Sequence, residues 1–291
     1  MEKKKVSIGN EEIAYLDIGS GDVVLMVHGN MSSGVHYEPL ISRISDKFRC
    51  ISPDIRGFGD SSYNERFSSL EELADDMALF LDAIGIESCY VVGWSTGGGI
   101  GLKLAAKYPS KVKKFFSIEG AGHRGYPIYV KENFKSTGKA YKSKEEMACD
   151  PMQVAPMINI FEKKDAAMMT SIWDATIYTV NKPTPEQSEL WISETLKQRN
   201  LVDVDWSLAT LNMSDALTVY AKGDGSIKDV KCPVAFTTGE KDIVVPGYMV
   251  LDNYNALKDN AILLFYENCG HSPMVDCPDR LAKDVIEFFG K

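Results

Sequence analysis

The chain is poor in the groups from which metal and nucleic-acid sites are made. Its 291 residues include four histidines (His28, His36, His123 and His271), no two of them at metal-ligand spacing, so no metal site is expected. Six cysteines (Cys50, Cys89, Cys149, Cys232, Cys269 and Cys277) lie scattered without a C-x-x-C pair. Cys50 and Cys89 fall in apolar runs and read as buried thiols. Cys269 and Cys277 flank His271 closely enough to meet, although no structural disulfide is expected of them. Cationic charge is also short: 32 Lys and Arg against 41 Asp and Glu give a net charge of −9, which argues against a phosphate-backbone partner. Lys3-Lys4-Lys5 and the run from Lys111 to Lys114 read as solvated surface. No apolar stretch approaches the ~18 residues of a spanning helix. The segment after Lys5 has no apolar core of a secretory leader, so a cytoplasmic location away from membranes is expected. Neither G-x-G-x-x-G nor a Gly-Lys-Ser/Thr phosphate loop occurs at the glycine-rich stretch, and no cofactor is expected.

What is present has a clear grammar. "KVSIG", "IAYLDIG", "VVLMVHG", "FRCISPD", "CYVVGW", "KKFFSIEG", "CPVAFTTG" and "AILLFYENCG" are strand-like, several of them continuous apolar runs of the kind buried on both faces. Helical patterns alternate with them. In "SSLEELADDMALFLDAIG", Ser69 and Glu72 make a capping-box signal and Gly85 a stop. This alternation predicts an α/β fold with a mostly parallel sheet. It is interrupted from His123 to about Gly225, where the pattern turns helical and rich in Trp, Tyr and Met. The chain thus reads as a core of residues 1–122 and 226–291 carrying a helical insertion, 123–225, at the carboxyl edge of the strands.

Gly93-Trp94-Ser95-Thr96-Gly97 fits G-x-S-x-G between a strand and a helix, a corner that presents a serine hydroxyl to the end of a helix. Serine needs a base and an orienting acid. Among the histidines, His28 follows a strand in "VHGN" and suits loop shaping. His36 and His123 suit packing or pocket walls, and His271 follows the last strand in "ENCGHSPMVDCP" as the expected base. Asp242, in the loop after "CPVAFTTG", is the expected acid, with Glu119 after "KKFFSI" as the alternative. In the insertion, Trp173, Tyr178, Trp191, Trp206, Met168 and Met169 are candidates to line an apolar cleft or to pack the insertion's own core.

"VHGN", "DIRGFGDS", "GWSTGG", "GEKDIVVP" and "GHSP", in this order over residues 21–122 and 228–290, resemble the α/β-hydrolases. The resemblance implies an oxyanion hole made by the backbone N–H groups of Thr96 and Asn30, with Met31 as a nearby alternative. It implies a structural role for Asp54, Arg56 and Gly57. Met31 and Trp94, with Trp173 and Tyr178, are the expected substrate contacts. A serine rather than an aspartate at the elbow argues against alkyl-enzyme chemistry and for hydrolysis of an ester, thioester or lactone. Carbon–carbon bond hydrolysis and a binding protein without catalysis are the alternatives. "GNMSSGVHYEPL", "IWDATIYTVNKP" and "ENCGHSPMVDCP" further resemble intracellular short-chain polyhydroxyalkanoate depolymerases, which implies a small or oligomeric ester substrate such as polyhydroxybutyrate oligomers.

Overall fold

The computed structural model describes residues 2–290. Each of the eight strand-like runs becomes a strand of one sheet: β1 (Lys4–Ile8), β2 (Glu11–Ile18), β3 (Asp22–Val27), β4 (Phe48–Pro53), β5 (Cys89–Trp94), β6 (Val112–Ile118), β9 (Val234–Gly239) and β10 (Ala261–Tyr266). Their spatial order is β1-β2-β4-β3-β5-β6-β9-β10. β1 and β2 run antiparallel to their neighbours and every other pairing is parallel.

The continuous apolar runs are explained by burial on both faces. Successive side chains on a strand alternate sides, so Leu25, Val27, Val91, Phe115 and Phe236 enter one hydrophobic cluster while Val24, Met26, Val92, Phe116 and Ala235 enter the other. Helices α2 (Leu70–Ala83), α3 (Thr96–Lys107) and α9 (Gly247–Ala256) cover the first face. Helices α1 (Glu38–Ile44) and α11 (Pro278–Gly290) cover the second, and the short α10 (Pro273–Asp276) precedes α11. The Ser69 hydroxyl accepts from the Glu72 N–H at 3.3 Å to cap α2, whereas the Glu72 carboxylate reaches the N–H of Ser68, one residue earlier than the capping box expects.

Between β6 and β9 the chain leaves the sheet and returns. This stretch holds α4 (Lys144–Ala148), α5 (Ala155–Lys163), α6 (Ala166–Thr176), α7 (Pro185–Thr195) and α8 (Leu201–Thr210). Contrary to the helical expectation for all of 123–225, it also holds an antiparallel hairpin, β7 (Tyr129–Glu132) and β8 (Lys135–Ala140). The hairpin turns through Asn133 and Phe134, both at positive φ, and its residues are half-buried or exposed with none fully buried, so no apolar alternation marks it in the sequence. The helical pattern expected through Ala221 stops at Thr210, after which Asn212 and Ser214 organise an irregular turn through side-chain bonds to the backbone. Among the described residues no helix is long and apolar enough to cross a membrane.

Residues before β1 join this stretch to the core. Lys3 Nζ lies 2.7 Å from Asp54, 2.8 Å from Asp60 and 2.7 Å from Glu194 of α7. The three carboxylates that gather here are therefore occupied by an ammonium group, and Asp54 has the structural role expected of it.

Candidate active site

Because the strands are parallel, the ends of β5, β6, β9 and β10 open on one edge, and Ser95, Glu119, Asp242 and His271 all follow those ends. Ser95 sits at the β5–α3 corner with φ 54° and ψ −118°, a conformation L-residues adopt only when the surroundings enforce it. Two glycines make the corner possible. A Cβ on Gly93 would stand 2.3 Å from the Gly97 carbonyl oxygen, and one on Gly97 would stand 1.9 Å from that of Val27. The turn leaves the Ser95 hydroxyl half-buried, without a hydrogen bond to any described residue, on the wall of a cavity of about 190 Å³.

His271 lies on the same wall. Its Nδ1 donates to Asp242 Oδ2 at 2.8 Å, and both side chains are almost wholly buried. That bond places the proton on Nδ1 and leaves Nε2 as the basic nitrogen. The other Asp242 oxygen accepts from the N–H groups of Val244 and Val245 at 2.8 and 3.0 Å. Burial disfavours the Asp242 carboxylate, but His271 and these N–H donors outweigh it and hold the group below the usual range. Glu119 differs: burial first, and the Asp242 charge second, push it well above the carboxylate range. It accepts from Thr237 Oγ1 at 3.1 Å and from the Gly239 N–H at 2.8 Å, but it has no bond to His271.

The other three histidines are committed elsewhere. His28 donates from Nδ1 to the Gly29 carbonyl and accepts the Ile55 N–H at Nε2, and burial drives its pKa down to about 3. His36, also pushed down to about 3 by burial, stacks on Trp191 at 5.5 Å and packs against Trp173 at 5.3 Å. His123 binds Asn253 and lines a different cleft.

Asn30 and Thr96 both line the Ser95 cavity. Thr96 opens α3, so its N–H is among those without an intrahelical acceptor, and no described group accepts from the Asn30 N–H. The Met31 N–H does not stand in for either. It donates to Asn30 Oδ1 at 2.9 Å and Gln198 Oε1 at 3.0 Å, while the Met31 side chain reaches the cavity.

Of the aromatic residues expected as contacts, Trp94 and Trp173 line the cavity and Tyr178 does not. Tyr178 packs at 5.3 Å from Trp173 and 6.3 Å from Trp191, behind the wall, and its neighbour Ile177 takes the cavity position. Trp191 and Met169 are buried in the same cluster, Met168 is exposed, and Trp206 packs on Tyr220. Trp94 also anchors the His271 backbone, because its indole N–H donates to the His271 carbonyl at 2.8 Å. The residues the sequence reading missed include Asp205, Leu201 and Leu208, which share one stripe of α8. Their spacing of four and three was a usable signal, hidden because nothing in the sequence says which stripe meets the cavity.

Comparison with known proteins agrees with this architecture. The sequence family described as alpha/beta hydrolase fold matches residues 22–144. The chain is 34% identical to a cis-3-alkyl-4-alkyloxetan-2-one decarboxylase of Shewanella oneidensis over 126 residues, which span 40% of this chain and 39% of that protein. It is 24% identical to haloalkane dehalogenase 2 of Mycobacterium bovis, over 96% of this chain and 91% of that one. Among solved structures, an esterase of Exiguobacterium antarcticum superimposes with a TM-score of 0.76 at 19% identity, with both chains covered completely. The protein has the α/β-hydrolase fold.

Proposed function

We propose that this protein is a serine hydrolase that cleaves short-chain carboxylic esters through an acyl-enzyme. The observation that carries the reading is the convergence, on one small cavity, of a strained and unpartnered Ser95 with an imidazole oriented by a buried carboxylate. In this reading Ser95 Oγ attacks the ester carbonyl while His271 Nε2 takes its proton. The carbonyl oxygen becomes an oxyanion facing the N–H groups of Asn30 and Thr96 and the positive end of α3, a stabilisation worth ~3 kcal/mol per donor. Collapse breaks the bond to the alkoxy oxygen, which leaves as the alcohol with the proton from His271. Water then attacks the acyl-enzyme, giving up a proton to the same nitrogen, and the acid is released as Ser95 recovers its hydrogen. Asp242 holds the tautomer throughout.

A dehalogenase-type reaction needs a nucleophilic carboxylate at the elbow, and this chain has Ser95 there. A cavity of about 190 Å³ suits a short acyl group, below the ~300 Å³ at which drug-sized ligand pockets begin. Together with the resemblance of several stretches to short-chain polyhydroxyalkanoate depolymerases, this favours esters with acyl chains of about two to six carbons, 3-hydroxybutyrate oligomers among them. A fluorophosphonate should add to one residue, Ser95, and Ser95→Ala should take up none and hydrolyse no ester while melting like the wild type. An adduct on another residue would overturn the assignment. Turnover of acetate and butyrate esters without turnover of 3-hydroxybutyrate oligomers would leave a general short-chain esterase.

A further inference from the structure

Most of the cavity wall is apolar, formed by side chains such as Trp94, Ile128, Met157, Leu208 and Val244. One carboxyl group outside the Ser95–His271–Asp242 arrangement also faces it. Asp205, on α8, is half-buried, and its Oδ1 accepts from Asn30 Nδ2 at 3.1 Å. Its Oδ2 has no hydrogen-bond partner among the described residues, and the side chain lies on the cavity wall. The cations near this helix are already engaged: Arg66 and Lys144 bind Asp203 at 2.7 and 2.6 Å, on another side of α8. The Asn30 amide is fixed in this orientation, because its Oδ1 accepts from Gln198 Nε2 at 2.8 Å and from the Met31 N–H at 2.9 Å, so it meets Asp205 with Nδ2 alone. Burial, reinforced by Asp150 and only partly offset by the Asn30 bond, pushes the Asp205 carboxyl up to about 7. A carboxyl group with one hydrogen bond on an apolar wall is destabilising for the fold. No contact within the fold explains its second oxygen.

We infer that Asp205 determines specificity: its free carboxyl oxygen receives a hydroxyl group carried by the substrate at some remove from the scissile ester. This rests on the ester-hydrolase reading above and adds a residue to it. A hydroxyl both donates and accepts, so it pairs with the carboxyl whether or not that group holds a proton. A substrate carboxylate would meet like charge. An unsubstituted alkyl chain would strip water from Asp205 and return nothing, and sites with a stranded polar group discriminate strongly against such ligands.

Three esters of similar size test this: methyl butyrate, methyl 3-hydroxybutyrate with the hydroxyl on the acyl side, and 2-hydroxyethyl butyrate with it on the alcohol side. The wild type is expected to hydrolyse one of the two hydroxylated esters with kcat/KM about 10- to 100-fold above methyl butyrate, the worth of one hydrogen bond to a charged or shared-proton carboxyl. Asp205→Leu should bring that ratio to about one by losing activity on the hydroxy ester and gaining it on methyl butyrate. Asp205→Asn, which can still bond both Asn30 and a hydroxyl, should keep part of the preference. A merely structural role would depress all three esters together and leave the ratio unchanged. A wild-type ratio near one for both hydroxylated esters, or a preference that survives in Asp205→Leu, overturns the inference while the hydrolase reading stands. No turnover of any ester together with no labelling of Ser95 overturns both. If Asp205→Leu does not fold, the reduced ratio expected of Asp205→Asn decides the matter, and an unchanged ratio there overturns the inference.

Discussion

The cavity is walled by two regions built under different constraints. The sheet edge contributes Ser95 and His271, with Asp242 behind the imidazole, each on a turn whose backbone is determined by the strand before it. The stretch between β6 and β9 contributes Ile128, Met157, Trp173, Ile177 and Asp205, carried on helices and a loop that bury only part of their surface. On the sheet side positions are exact, because Gly93, Gly97 and the Asp242 loop leave no room for another arrangement. On the other side the wall is a matter of which helical stripe turns inward, and a neighbouring side chain takes over where one is displaced, as Ile177 does beside Tyr178. Chemistry is therefore expected to fail abruptly when the first region is changed, and selectivity to drift when the second is.

The largest expected effect is on the first side. Asp242→Asn should lower kcat by about 10³- to 10⁴-fold by leaving His271 in the wrong tautomer, whereas Glu119→Gln should lower it by less than about tenfold. Steady-state kinetics on one activated ester separates the two, and a reversed order would move the acid to the end of β6. On the second side, Trp173→Ala should raise KM for short esters more than it lowers kcat and should cost about 3 kcal/mol of stability, since the ring fills a cluster with His36, Trp94 and Tyr178. A kcat loss as large as that of Asp242→Asn would break the division of labour. Asp205 gives a smaller, pH-dependent effect. Its folded pKa of about 7 lies above the ordinary value of 3.8, so between those limits the native state binds more protons than the unfolded state and stability declines as pH rises. Asp205→Asn lacks this decline, and its melting temperature should gain on the wild type from pH 5 to about 7 and then hold level. The smallest effect is expected of Tyr178→Phe, which keeps the ring behind the wall and should change neither KM nor kcat by more than about twofold.

How much of this was written in the sequence follows the same division. The central strands of the sheet could be read because burial on both faces leaves continuous apolar runs, and the serine corner because only small residues fit two positions either side of it. Of the histidines, His271 stood out by its place after the last strand, where the structure pairs it with Asp242. The hairpin β7–β8 left no such trace, because neither of its strands has a fully buried face. Trp191, Met169 and Tyr178 were candidates for the cleft because they are large and apolar, but the same property draws them into the core, where more of their surface leaves water. Asp205 is invisible as a motif: it is one of two acids on α8, distinguished from Asp203 only by the direction it faces.

The ammonium of Lys3 has a consequence for the order in which the protein is made. By the time residue 60 has been synthesised, Lys3, Asp54 and Asp60 are all available to one another, but Glu194 joins them across a separation of 191 residues. The amino-terminal strands can thus emerge from the ribosome and begin to pair while one ligand of their charge cluster is still unmade. Arrival of α7 then completes the set, fastening a helix of the stretch between β6 and β9 to the residues just before β1.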